Sequence, residues 1–178
     1  MSKMKSYKNK SLIQLFGLTV CLLVLSFSGL ANAEFACETS NLALESMPDG
    51  IVTIDYADGK TKEFSVRLAN SSSTRAAGFQ RVCKSTIAAK PILFVFAQAL
   101  RPSFHMNNVV AGIDIAFINS AGRLDSIHNM SPYVLGSNHT PRYQSEGFIQ
   151  SALEAYPGFF AEHSVDDSVM ISWRPAEK

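Results

Sequence analysis

The chain has 178 residues, of which 47% are hydrophobic and 17% charged, and its formal net charge is +1. This length is sufficient for one ordinary domain with a proper hydrophobic core. No run of Lys or Arg follows the N-terminal region, so we expect no nucleic-acid partner.

The N-terminus has the three parts of a cleaved signal peptide. Four lysines precede residue 11, Leu12 to Leu30 is apolar, and Ala31-Asn32-Ala33 has the small-x-small pattern that signal peptidase cleaves. We therefore expect residues 1–33 to be removed, leaving a periplasmic or secreted protein with no membrane span. An uncleaved membrane anchor is the alternative, because the apolar run is nearly long enough to cross a bilayer.

Cleavage leaves 145 residues with 12 Lys and Arg against 15 Asp and Glu, a net charge of −3. Two cysteines remain, Cys37 and Cys83, and a lone pair in an oxidising compartment most simply forms one disulfide. Two free thiols or a redox pair are the alternatives, although redox pairs are normally close in sequence. We expect a disulfide that tethers an N-terminal leader, residues 34–50, to a single domain over residues 51–174.

The first part of this domain has the pattern of a hairpin followed by a helix. Ile51–Tyr56 and Lys62–Ala69 alternate as half-buried strands do, and Asp58-Gly59 between them is a strong turn signal. Serine side chains offer N-caps for a helix over Ser72–Val82. Because Gly78 costs about 1 kcal/mol inside a helix, either another backbone packs closely there or the helix ends and turns.

The rest of the chain is predicted to form mostly strands. Pro91–Ala97 is apolar enough for a buried strand. Further strands are predicted at Ser103–Asn107, Ile113–Asn119, Arg123–Met130, Phe148–Tyr156 and Ser168–Trp173. Residues 131–147 are predicted as a polar loop, and residues 157–163 as a short helical turn. The predicted fold class is mainly β: a compact β-sandwich or partly open barrel with one or two short helices.

Four segments in this order resemble domain-of-unknown-function family 192. The family's Arg-x-x-Gly helix corresponds to Arg75–Arg81, and its Gly-Met-Leu-Phe-x-Phe strand to Pro91–Phe96. Its Phe-Trp-Met-x-Asn-Thr-x-x-Pro-Leu-Asp segment corresponds to Phe104–Asp114, and its late Leu-Glu-x-x-x-Gly to Leu153–Gly158. The resemblance covers nearly the whole mature chain and implies a small, often exported, mainly β domain. It implies no function.

Three residues depart from the family pattern. His105 stands where the family has Trp, Val109 where it has Thr, and Gly112 where it has Pro. A family site that depends on that Trp would bind something different here, or nothing.

Asp114 is the centre of the first candidate site, because a carboxylate in an apolar strand must be paired or hydrogen-bonded. One interpretation is a structural ion pair with Arg75 or Arg81. The other places the same groups, with Glu154, in a cleft that binds an anionic or polyhydroxyl ligand. The candidate ligand-binding residues are Arg75, Arg81, Phe104, His105, Met106, Asn108, Asp114 and Glu154.

Other side chains of interest offer weaker signals. The histidines show no short metal-ligand spacing, so no metal site is predicted; they are His105, His128, His139 and His163. Several aromatic residues lie in or beside loops, where they would stack on a ligand or pack in the core; they are Phe104, Tyr133, Tyr143, Tyr156 and Phe159. No Gly-x-Ser-x-Gly motif or glycine-rich phosphate loop is present, and no cofactor is predicted.

Two hypotheses follow for function. The leading one is an exported, monomeric binding or accessory protein of the cell envelope, whose partner is a small molecule or an envelope component. The alternative is a cell-envelope hydrolase that uses Asp114 and Glu154 as an acid–base pair, with or without a histidine-bound metal. The absence of catalytic motifs favours the first hypothesis, in which the protein is not an enzyme.

Overall fold

The computed structural model describes residues 36–134, 136 and 140–177, so the predicted signal peptide and His139 lie outside the described residues. Nine strands and four short helices are present within these residues. The strands are β1 (Asp49–Asp55), β2 (Thr61–Ala69), β3 (Ile92–Leu100), β4 (Ser103–His105), β5 (Ile113–Ile118), β6 (Leu124–Met130), β7 (Arg142–Gln144), β8 (Ile149–Ala155) and β9 (Met170–Pro175). The helices are α1 (Leu42–Glu45), α2 (Ser72–Ala77), α3 (Lys84–Ala89) and α4 (Phe159–Glu162).

Seven strands form one sheet in the order β6-β5-β8-β3-β2-β1-β9. Neighbouring strands run antiparallel except β2 and β3, which are parallel and are joined by α2 and α3. The connection agrees with the rule that parallel neighbours need a long crossover. Strands β4 and β7 form a separate two-stranded sheet.

Both faces of the sheet are covered, which explains why all six residues of β5 are buried. On the α2 face, Leu44 of α1, Ile87 of α3 and Phe79, which follows α2, lie in a core that also includes Phe94 and Phe117. On the α4 face, Phe159 and Phe160 of α4 pack into a second core with residues of β1, β2 and β9. Successive side chains of a strand point to opposite faces, so Ile115 and Phe117 of β5 lie in the first core and Ala116 and Ile118 in the second.

The two edge strands of the sheet meet at one point. Arg123 and Met170 form an isolated bridge, and the Ile171 N–H donates to the Gly122 carbonyl at 2.8 Å. Gly122 has φ +77°, and a Cβ added there would lie 2.6 Å from the Ile171 oxygen. Only glycine allows this approach. The contact does not continue as a ladder, so the sheet is not closed into a barrel.

The predicted disulfide between Cys37 and Cys83 is present. Next to it, the Glu38 N–H donates to the Arg81 carbonyl at 2.7 Å, and the Cys83 N–H donates to the Glu38 carbonyl at 2.9 Å. Leu44, in α1, is buried in the core of the α2 face. The leader therefore packs as part of the domain, beyond the tether that the disulfide supplies.

The mainly β fold class is confirmed, and several element bounds are corrected. Four short helices replace the predicted one or two, β1 starts at Asp49 inside the predicted leader, and β7 lies inside the predicted loop. The helix predicted over Ser72–Val82 ends at Ala77, because Gly78 turns the chain there. Among the described residues, no helix has both the length and the apolar character that crossing a membrane requires.

Candidate functional site

A cavity of about 260 Å³ lies on the α2 face of the sheet. One wall is the C-terminal turn of α2, from Arg75 to Gln80, and the opposite side is built by β3, β4 and β8. Four aromatic rings line the cavity; they belong to Phe79, Phe94, Phe96 and Phe104. The polar side chains at the cavity are Arg75, Gln80, Ser103, His105 and Glu154.

Glu154 is the most unusual group in this cavity. Its relative exposure is 5%, and no residue in the described part of the chain donates a hydrogen bond to its side chain. Among the described residues, every side-chain polar atom that is closed to solvent has a hydrogen-bond partner. Because the Glu154 carboxyl has none among them, its oxygens are open to the cavity. Burial raises the pKa of Glu154 to about 8, because desolvation disfavours the charged form. At neutral pH the group is mostly a carboxylic acid.

Gly78 brings a backbone turn directly over Glu154. The helix α2 begins at a capping box between Ser71 and Thr74 and ends when Gly78 adopts φ +48° and ψ −134°, a conformation open essentially to glycine. A Cβ at Gly78 would lie 3.9 Å from Glu154 Oε2 and 3.4 Å from Phe94 Cζ. The glycine flagged in the sequence therefore both ends the helix and shapes the cavity wall.

Arg75 is held at the cavity by contacts with β3. Strand β2 stops pairing with β3 after Ala69 and Phe94, and beyond that point Arg75 Nη1 donates to the Val95 carbonyl at 3.0 Å. Its guanidinium carbon also lies 5.5 Å from the centre of the Phe96 ring, within cation–π range. No carboxylate lies within 4.0 Å of it in the described part of the chain.

His105 is half-buried in β4 at the same cavity. Its Nδ1 accepts a hydrogen bond from the Asn107 N–H at 3.3 Å. Burial and, to a lesser extent, the positive charge of Arg142 lower the pKa of His105 below its usual value. The imidazole is therefore neutral at pH 7.

Phe104 links the cavity to the core through ring contacts. Its ring centre is 5.1 Å from that of Phe94 and 5.5 Å from that of Phe117. The row continues from Phe117 to His128 and from His128 to Tyr143. These contacts fix the apolar wall in place.

The structure does not bring the remaining predicted residues into the cavity. Arg81 is exposed and meets Asn108 through its backbone N–H, and Met106 is buried in the core of the α2 face. Asn108 lies nearby and donates from Nδ2 to Gln80 Oε1 at 3.1 Å, so it acts on the cavity only through Gln80.

Asp114 lies on the opposite face of the sheet from Glu154. Asp114 pairs with Ala155, whereas Ile115 pairs with Glu154, and paired residues share a face. Gly158, the N-cap of α4, donates its N–H to Asp114 Oδ2 at 2.7 Å, and Asn129 Nδ2 donates to Oδ1 at 2.6 Å. The predicted pairing of Asp114 with Arg75 or Arg81 is therefore wrong, because backbone and amide donors occupy both of its oxygens.

We expect Asp114→Ala to lower the free energy of unfolding by about 2 kcal/mol, because two hydrogen bonds at a buried position are lost and their donors are left without a partner. Urea unfolding measures this effect, with Asp167→Ala, a change at an exposed loop acid, as the matched control. An Asp114→Ala variant as stable as the control would contradict this structural role.

The histidines and tyrosines named in the sequence separate into different environments. His163 lies between the rings of Phe64 and Phe159, on the α4 face. Tyr156 also contacts Phe159 there. No group of three or more potential metal-ligating side chains occurs among the described residues.

Of the aromatic rings at the cavity, the sequence predicts only Phe104 as a site residue. The predicted buried strand Pro91–Ala97 includes Phe94, which is buried, and Phe96, which is half-buried at the cavity. The pairing of β3 with β8 is irregular between Val95 and Leu100, and Phe96 lies in that stretch. A pattern of alternating residues carries no signal for such an irregularity.

The fold and the site define a small mainly β domain with an aromatic-lined cavity and a buried acid that has no hydrogen-bond partner among the described residues. The chain belongs to the family DUF192, described as uncharacterized ACR, whose model matches residues 53–173. This confirms the family that the sequence motifs indicated.

Two solved structures share the fold. One, from Sinorhizobium meliloti 1021, is described as a proposed transcription regulator; it is 23% identical over 72% of this chain and 95% of its own, with a TM-score of 0.61. The other, a protein of unknown function from Novosphingobium aromaticivorans DSM 12444, is 19% identical over 76% of this chain and 99% of its own, with a TM-score of 0.58. No curated protein matches.

Proposed function

We propose that the mature protein is an exported binding protein of the cell envelope and that the cavity beside Glu154 binds a small molecule. The carboxyl of Glu154 carries this proposal, because it is buried, has no hydrogen-bond partner among the described residues and faces the cavity. A polar group removed from water without a partner costs free energy. A ligand that supplies the partner recovers that free energy on binding.

The cavity favours a small ligand with both apolar and oxygen-rich parts. Its volume of about 260 Å³ lies just below the range of sites for drug-sized ligands. Phe94, Phe96 and Phe104 offer ring faces and edges, while Glu154 and Arg75 offer hydrogen-bond donors. A polyhydroxyl or anionic small molecule combines these features.

The geometry favours binding over hydrolysis by two carboxylates. An acid–base pair requires both carboxyl groups at one cleft, and Asp114 is hydrogen-bonded on the face opposite Glu154. We therefore do not propose the hydrolase.

Export is supported by two observations. The sequence carries the signal-peptide pattern before residue 34, and the Cys37–Cys83 disulfide suits an oxidising compartment. We accordingly propose a periplasmic or secreted monomer.

Native mass spectrometry of the exported protein, purified without added ligand, tests both parts of the proposal. We expect the mass of residues 34–178 less two hydrogens, together with an organic excess mass. Glu154→Leu should lose the excess mass while circular dichroism shows an intact fold. Glu146→Gln, a change at an exposed acid outside the cavity, should keep it.

Two results would contradict the proposal separately. A mass that includes residues 1–33 would rule out the mature protein that begins at residue 34. A bare wild-type mass, or an excess mass that persists in folded Glu154→Leu, would rule out this cavity as the binding site.

A further inference from the structure

The cavity carries a fixed positive charge, on Arg75, that no carboxylate among the described residues pairs with. Arg75 has no carboxylate within 4.0 Å in the described part of the chain. Glu154, the acid at the same cavity, is uncharged at neutral pH because burial raises its pKa to about 8, with burial the sole cause. An arginine in contact with Glu154 would lower the pKa of Glu154. We therefore infer that Arg75 and Glu154 lie apart in the cavity.

The Arg75 guanidinium is already positioned to receive an anion. One N–H donates to the Val95 carbonyl, and the guanidinium carbon lies near the Phe96 ring. These contacts hold the side chain in place, so less rotamer freedom is lost when a ligand binds. A guanidinium has five N–H donors in a planar fork that matches carboxylate geometry. Donors remain after the single bond to Val95.

Glu154 supplies the second polar point. As a carboxylic acid it has one O–H donor, and the described residues offer no acceptor for it. Phe96 lies beside Arg75, and Phe94 lies next to Gly78 together with Glu154; Phe104 packs against Phe94. The matching molecule has an anionic group at one end, a short carbon skeleton and an oxygen acceptor at the other end.

We propose that the ligand is a small organic carboxylate whose anionic group pairs with Arg75 and whose second oxygen accepts a hydrogen bond from Glu154. This proposal rests on the binding function proposed above. A carboxylate matches the single charge of Arg75, whereas a phosphate carries about −1.5 to −2 at pH 7. Neutral polyhydroxyl molecules would leave the arginine without its anionic partner.

Binding should weaken as the pH rises through about 8. Above this pH the ionised Glu154 loses its donor and repels the ligand. Among the other titratable or charged groups on this side of the sheet are Arg75 and His105 at the cavity, and Arg142, whose positive charge acts on His105. His128 lies two strands away beside Ile115, with Tyr143 next to it. On the other side of β3, Arg67 and Asp49 share the face of Glu154 through the pairing with Ile92. His105 is neutral over this range, so Glu154 sets the pH dependence.

The test compares small hydroxy and keto carboxylic acids with their own primary amides by ligand-observed NMR on the exported protein. We expect the acids to bind the wild type at least about tenfold more tightly than the amides, as a charge-assisted bidentate pair is lost in the amide. Arg75→Gln should abolish the difference, and Arg174→Gln, the same charge change on β9, should leave it intact. Glu154→Gln should keep the preference for acids but remove its dependence on pH.

Several outcomes would overturn this inference. Equal binding of acids and amides to the wild type would refute it while leaving the binding function in place, as would tighter binding of phosphate monoesters included in the set. Binding of no probe also refutes it, and the mass measurement above then decides the binding function independently. If Arg75→Gln does not fold, Arg75→Lys serves instead: unchanged acid affinity in that variant would contradict a bidentate role.

Discussion

Replacing Glu154 with glutamine should remove a large pH dependence of stability. In the folded protein Glu154 keeps its proton up to about pH 8, whereas in the unfolded chain it releases it near the ordinary value of 4.5. Between these values the folded state binds more protons than the unfolded state, so the free energy of unfolding falls as pH rises. The slope is about 1.4 kcal/mol per pH unit, and the total is on the order of 5 kcal/mol.

Urea unfolding at a series of pH values between 4 and 9 (about one unit apart) measures this effect. The stability due to Glu154 is fully present below its unfolded pKa and is lost as pH approaches its folded pKa. Glutamine has the shape of the protonated acid and does not titrate. The free energy of unfolding of the variant should therefore rise steadily relative to that of the wild type across this range. Glu146→Gln, at an exposed acid, should follow the wild type. A constant difference between wild type and Glu154→Gln would contradict the raised pKa.

Removal of the disulfide should have the second largest effect. Cys37 and Cys83 are 46 residues apart, and closing a loop of that length stabilises the fold by about 4 kcal/mol in the chain-entropy model. Replacing both by serine should lower the melting temperature by roughly 10 °C. The domain should still fold, because the leader also contributes the buried side chains of Leu44 and Met47.

Reduction provides the matched control for this variant. A reducing agent should destabilise the wild type as much as the double substitution does and should leave the double variant unchanged. Thermal unfolding with and without the reducing agent measures both. A wild type whose unfolding is insensitive to reduction would show that the bond contributes little.

Much of the fold could be predicted from local sequence patterns. The first hairpin follows from alternation on either side of Asp58-Gly59, and the structure pairs Asp55 with Thr61 around that turn. The apolar run Ile113–Asn119 predicted a strand, and β5 forms at Ile113–Ile118. Short elements such as β7 escaped prediction because three residues hold too little pattern.

The candidate site was predicted only in part, for a topological reason. Arg75, Phe104, His105 and Glu154 do meet at one cavity. Asp114 does not, although alternation along β5 already places it with Ala116 rather than with Ile115. Which face of β5 holds a site depends on the order β5-β8-β3, and strand order across a sheet is not written in any local stretch of sequence.

The two edges of the seven-stranded sheet meet at a single contact, at Gly122, and form no ladder beyond it. Beyond that contact, the outer edges of β6 and β9 have no ladder partner among the described strands, while β8 and β3 are enclosed between neighbours. Backbone amides of β6 and β9 should therefore lose their protection from hydrogen exchange first, and those of the central strands last. Glu154 lies on β8, so the strand that carries the buried acid belongs to the part of the molecule that opens least often.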